Sequence, residues 1–173
     1  MNSSPEHQKT LPKDWLGYIG ISLAIALVAL TLYQVWRNRH IHQPQNLPIE
    51  ASVIVGGKPL QLEVAKTEQQ QAYGLKYRSS LDEDRGMLFQ LSRPQKASIW
   101  MQDVKFPLDI IFMRGERIIS IVANAPPCGD RPDRNCPLYP SDSPIDRVLE
   151  INAGLAIQAK LQVGDLLPVH FRE

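Results

Sequence analysis

The stretch Ile99 to Met113 reads IWMQDVKFPLDIIFM, and one residue within it limits what the chain can build. An apolar run flanked by polar breaks is the pattern of core strand. Pro107 has no N–H to give a ladder, so it cannot sit inside a central strand and must divide the run. The sequence therefore predicts one strand over Ala97–Met101 and another over Leu108–Met113. Gln102–Pro107 becomes a bend that displays polar groups beside Trp100. Asp103, Lys105 and Asp109 lie among the apolar and aromatic residues of the same stretch.

A second apolar run has a different character. Trp15 to Trp36 carries no Asp, Glu, Lys, Arg or His; Asp14 bounds it on one side and Arg37 on the other. As a helix of about 22 residues it would reach roughly 33 Å, enough for the hydrocarbon core of a bilayer. Trp15, Tyr18, Tyr33 and Trp36 stand near its ends, where amphipathic rings favour the membrane interface. Gly17 and Gly20 are three apart rather than four, so the small-residue dimer motif is absent. Ala24-Ile25-Ala26 has the small-residue form of a cleavage site. The apolar run continues to Val35, which favours an uncleaved anchor, and no cysteine lies near it to carry a lipid. Lys9 and Lys13 precede the run and Arg37 and Arg39 follow it, so flanking charge does not orient it.

These features divide the 173 residues into a tail over 1–14, a transmembrane helix over 15–36, a linker over 37–50 and a β-rich domain over 51–173. The net charge of +1, from 19 basic and 18 acidic residues, gives no electrostatic reason to expect nucleic acid as a partner. The linker is polar, holds Pro44 and Pro48, and reads as a spacer. His40 and His42 fall in it without a third ligand nearby, so no metal site is expected there. Beyond it, Ala51–Val55 and Pro59–Ala65 flank Gly56-Gly57, a hairpin signal because both central residues can take positive φ. Leu60, Leu62 and Val64 alternate with Gln61 and Glu63, which predicts one buried face and one wet face. Thr67-Glu68-Gln69-Gln70 has the capping-box form and predicts a short helix to about Tyr73, ended by Gly74. Tyr77, Arg78 and Leu81 lead into a charged turn, and Gly86 opens a strand over Met87–Leu91.

Read in order, the pieces AKTEQQQAYGLKYRSSL, RGMLF, IWMQD, PLDIIFM, PPC, CPLY, VLEINAG and VGDLL resemble domain-of-unknown-function family 192. The resemblance covers about residues 51 to 171. It implies a mostly-β domain of the kind often exported behind a signal or anchor, and it brings no established activity. Two positions depart from the family's pattern. Gly74-Leu75-Lys76 stands where the family usually has Gly-Leu-Met, and Trp100-Met101-Gln102-Asp103 where it usually has Trp-Met-Lys-Asn. The second change replaces a cation and an amide by an amide and an acid, so a ligand held by that pair would differ from its relatives' ligand.

The chain's cysteines, Cys128 and Cys136, share one Pro- and Asp-rich loop. A zinc site needs about four ligands, and the loop holds no histidine. The spacing is too wide for a Cys-x-x-C redox pair, and no histidine is local to activate a thiol. A structural disulfide fits best, and persistent disulfides belong to oxidising compartments. This orients the anchor, with the C-terminal domain extracytoplasmic, periplasmic or extracellular. After the loop, Arg147–Ile151 reads as strand, Asn152 as the cap of a short helix to about Lys160, and Leu166–Phe171 as a last strand. Many short strands with two short helices predict a mostly β fold, a compact barrel or sandwich.

Three constellations offer chemistry. Asp103, Asp109, Glu150 and Asp165 could include a catalytic carboxylate pair, although Asp109, at a strand start, also suits bonds to backbone amides. Trp100 with Met101, Phe106 and Tyr139 could form an aromatic ledge for a sugar or peptide, unless Met101 or Trp100 is core. Ser141 and Ser143 lack a Gly-x-Ser-x-Gly elbow, and His170 is alone in the last strand. The sequence therefore points to a membrane-anchored, non-catalytic ligand-binding or accessory module without cofactor or metal. Its candidate ligand residues are Trp100, Gln102, Asp103, Asp109 and Tyr139, and its ligand class is an envelope carbohydrate or peptide. The alternatives are a hydrolase of envelope polymer using Asp109 or Glu150, and a scaffold without a small ligand.

Overall fold

Pro107 divides its run as its chemistry requires. In the computed structural model one strand ends at Trp100 and the next begins at Leu108. The structure describes residues 15–41, 43–129 and 136–172. It forms two units, Met1–His42 and Gln43–Glu173.

The first unit holds one helix, α1 (Trp15–Ile41), with side chains described from 21 to 37. Over that range Ile21, Leu23, Ile25, Leu27 and Leu30 are all exposed. Among the described residues no helix is long and apolar enough to cross a membrane, and the predicted span over 15–36 lies partly outside the described side chains. His40 and His42, where no metal site is expected, also lie outside them.

The second unit is built on strands β1 (Ile49–Val55), β2 (Lys58–Ala65), β3 (Arg85–Gln95), β4 (Ser98–Trp100), β5 (Leu108–Arg114), β6 (Arg117–Ala125), β7 (Leu138–Pro140), β8 (Ile145–Asn152) and β9 (Val169–Phe171). Two helices join them, α2 (Glu68–Tyr73) and α3 (Leu155–Gln158). Seven strands form one sheet in the order β6-β5-β8-β3-β2-β1-β9, and β4 pairs with β7 as a separate ribbon. Among the described strands β2 and β3 run parallel, and the other ladders are antiparallel.

The predicted barrel or sandwich is corrected to a rolled, mixed sheet without closure. All seven strands send side chains to one core: Val53, Leu62, Leu88, Leu149, Ile111, Ile118 and Val169 meet there. The roll brings its edges together only briefly. Leu166 bridges Arg117, and the turn before β9 exchanges backbone bonds with β6, among them Ile118 N to Asp165 O at 2.9 Å. β9 is three residues long, too short to continue that bridge into a ladder. A second core lies on the outer face of β3, β8 and β5, where Met87, Phe89, Val148, Ile110 and Phe112 are covered by Leu75, Met101 and Cys128. Both faces of the central strands are therefore buried, which is why Leu108 through Met113 read as a continuous apolar run broken only by Asp109.

Local signals place the remaining elements. Gly56 and Gly57 take φ of 58° and 81° and close the β1–β2 hairpin. Thr67 and Gln70 form the reciprocal capping box of α2, with Gly74 as its C-cap. Three expectations are revised. Glu63 is buried, not wet, because Arg78 binds it through paired bonds of 2.7 Å. The segment 43–48 is no free spacer: Gln45 donates to Gln70 O and Gly74 O at 2.9 Å, and Glu63 accepts from Leu47 N at 2.7 Å. Asn152 does not cap α3; it donates to Leu81 O and Asp82 O, and Gly154 stands at the cap position.

Candidate functional site

Glu150 sits in the middle of the sheet, opposite Met87 of β3 on one side and Ile110 of β5 on the other. With both flanks laddered, its side chain can only follow the alternation of β8. Leu149 and Ile151 enter the inner core, while Glu150 shares the outer face with Val148. That face opens into a cavity of about 350 Å³. The end of α2 and the following turn form one wall, through Gln71, Gly74 and Lys76. The β3–β4 connection and Trp100 form the other, and Phe89, Val148 and Glu150 lie at the floor.

Glu150 is only 5% exposed, and its carboxyl has no hydrogen bond or ion pair among the described residues. It is open to the cavity rather than sealed in packing. Burial without a partner penalises the charged form and raises its pKa from 4.5 to about 8. A neutral carboxylic acid can donate a proton or a hydrogen bond; it becomes an anion when a cation arrives to compensate it.

The mouth is differently charged. Lys96 is exposed, and Lys76 extends over the Trp100 ring at 5.2 Å from its centre. Trp100 itself is 40% exposed, whereas its neighbour Met101 is core. The two walls are tied where they leave the cavity: Tyr77 N donates to Asp103 O at 2.9 Å, and the Tyr77 hydroxyl to Asp103 Oδ2 at 3.2 Å. Tyr77 and Asp103 both hold positive φ, 64° and 59°, a conformation that costs a bulky side chain energy and here fixes the positions of Lys76 and Gln102 beside them.

Of the sequence candidates, the structure brings Trp100 and Gln102 to this cavity and leaves Asp103, Asp109 and Tyr139 outside its lining. Asp103 clamps the bend from the surface. Asp109 is fully buried, with Oδ1 accepting from Asn124 N and Oδ2 from Ala156 N, each at 2.8 Å. It supplies the side-chain acceptor that α3 lacks locally. Tyr139 pairs with Ile99 in the β4–β7 ribbon. Asp109 and Glu150 project to opposite faces of the sheet, because Asp109 pairs with Ile151 and Glu150 with Ile110. The four carboxylates weighed for acid–base chemistry are therefore not gathered in one cleft. Ser141 is buried, and its hydroxyl accepts from Ala97 N at 3.1 Å, so it anchors the ribbon. Cys128 and Cys136 are bonded, with Cα atoms 5.4 Å apart. Among the described residues no group of three or more His, Cys, Asp or Glu is placed to hold a metal ion.

In the sequence Glu150 reads as half of a catalytic pair and not as a cavity floor. The signal was present: an acid between Leu149 and Ile151, in a strand whose neighbours are apolar, has no wet face to occupy.

A family model described as an uncharacterized ACR, domain of unknown function 192, matches residues 51–169. No curated protein matches. Among solved structures, a protein of unknown function from Novosphingobium aromaticivorans DSM 12444 is 32% identical, with a TM-score of 0.60 over 73% of this chain and 92% of its own. A protein from Sinorhizobium meliloti 1021, described as a candidate transcription regulator, is 29% identical, with a TM-score of 0.60 over 69% of this chain and 92% of its own.

Proposed function

This chain belongs to domain-of-unknown-function family 192, and we propose that it is a membrane-anchored, extracytoplasmic module that binds a small polar ligand without transforming it. The ligand is a fragment of envelope carbohydrate or peptide, and its seat is the cavity floored by Glu150. The carrying observation is the unpartnered carboxyl, buried by the sheet yet open to the cavity. Nothing in the packing uses it. An apolar residue there would stabilise the outer core, so an acid held at that cost is best accounted for by what enters the cavity.

Two observations support the location. Over 21–37 helix α1 exposes a run of large apolar side chains, among them Ile21, Leu23, Ile25, Leu27 and Leu30, a surface that suits a bilayer or a buried core better than water. The Cys128–Cys136 disulfide suits an oxidising compartment. Against a hydrolase stands the separation of Asp109 from Glu150, since two-carboxylate chemistry needs both in one cleft.

Ala72 is exposed on α2 and lines the cavity, so Ala72→Trp fills the mouth without entering the core. A thermal-shift screen of soluble envelope sugars and peptides should find a compound that stabilises the native chain and not Ala72→Trp. Stabilisation of both proteins by every active compound would remove the cavity as the seat.

A further inference from the structure

The polarity of the cavity narrows the ligand. Its ionisable lining consists of Tyr73 and Lys76 from the end of α2, Lys96 from the β3–β4 connection, and Glu150 from β8. The Tyr73 hydroxyl is already bonded to Gln43 O. What remains is an acid at the floor and two ammonium groups nearer solvent, an order given by burial: Glu150 is buried, Lys76 half-buried and Lys96 exposed. A simple amine would have to pass like charges to reach the floor. A simple carboxylate would meet the lysines and then face an acid. A neutral sugar would want the face of Trp100, and Lys76 already stands over that ring.

We propose that the cavity binds a zwitterion, a free α-amino acid or short peptide whose ammonium pairs with the Glu150 carboxylate while its own carboxylate meets Lys76 and Lys96. The proposal rests on the cavity being the seat, as argued above, and selects the peptide class over the carbohydrate. A volume of about 350 Å³ lies at the small end of the range for ligand sites. An incoming ammonium also supplies the partner that the buried acid lacks. As the pair forms, the Glu150 proton leaves for solvent and the carboxyl becomes the anion of the pair, consistent with the affinity for protons that burial raises.

The test is calorimetric titration of the full chain in detergent micelles at pH 7, in two buffers of different ionisation heat. The probes are L-alanine, L-alanyl-L-alanine, its N-acetyl and C-amide forms, and glucose. The dipeptide or the free amino acid should bind with release of close to one proton, and the stronger of the two identifies the source. N-acetylation should weaken binding at least tenfold. Glu150→Gln should weaken it by a similar factor and abolish proton release. The C-amide should bind several-fold more weakly to the native chain, a difference that Lys76→Met should reduce. Equal binding of the N-acetyl form, or binding of glucose alone, would overturn the zwitterion. Glucose binding blocked by Ala72→Trp would still leave the cavity as the seat, whereas binding insensitive to Ala72→Trp would overturn both readings.

Discussion

Glu150 is unusual because its backbone gives it no choice. Ladders on both sides fix the strand, alternation fixes the face, and the face is apolar except for the cavity. Its pKa in the folded chain, about 8, lies above the ordinary 4.5, so the folded state holds the proton more tightly than the unfolded one. The associated stability is complete below about pH 4.5 and is lost as the pH rises toward 8. Each tenfold in proton affinity is about 1.4 kcal/mol, so the loss is on the order of a few kcal/mol. Glu150→Gln should flatten the fall in urea midpoint between pH 5 and 8; parallel curves for the two proteins would mean Glu150 does not titrate there. Asp109 makes the contrast. Its oxygens bind two backbone N–H groups, and Asp109→Ala should cost about 2–4 kcal/mol by orphaning them. A loss within 0.5 kcal/mol, about the size of an ordinary surface change, would show that the acid is not the cap of α3.

At the scale of elements, what was legible in the sequence was local. Gly56-Gly57, the Thr67 box and Pro107 each act through their own backbone conformation, and each element they specify is where the sequence places it. The parallel β2–β3 pairing was not legible, because it joins strands separated by α2 and no short-range signal encodes it. The same pairing buries Glu63, whose alternation with Leu62 and Val64 reads as a wet face until Arg78 folds back onto it. Asn152 failed as a cap signal because Asp109, distant in sequence, satisfies α3 instead. The cavity itself was half legible: Trp100 and Gln102 come from the conspicuous bend, while the α2 wall and the β8 floor arrive only with the sheet. The ribbon that carries Trp100 is secured by Ser141 and by the disulfide just before β7. Reducing Cys128–Cys136 should lower unfolding free energy by about 2–3 kcal/mol, the entropy of a short closed loop. Free thiols in the native protein, measured by alkylation and mass, would contradict the bond.

In the whole molecule, helix α1 precedes a rolled sheet whose outer face holds the cavity floored by Glu150. The helix exposes its apolar side chains throughout the described range, so the full chain should stay with the membrane fraction through alkaline carbonate and leave it only with detergent. Release by carbonate alone would argue that another protein, not a bilayer, covers the helix. Ligand capture at the cavity depends on the protonation of one carboxyl, Glu150. Carbon-13 NMR titration of the Glu150 side chain in the intact chain measures it directly, with Glu150→Gln assigning the signal. The midpoint should lie close to 8; a midpoint at the ordinary 4.5 would show the acid already solvated or paired and would rule out the cavity as a seat waiting for a cation.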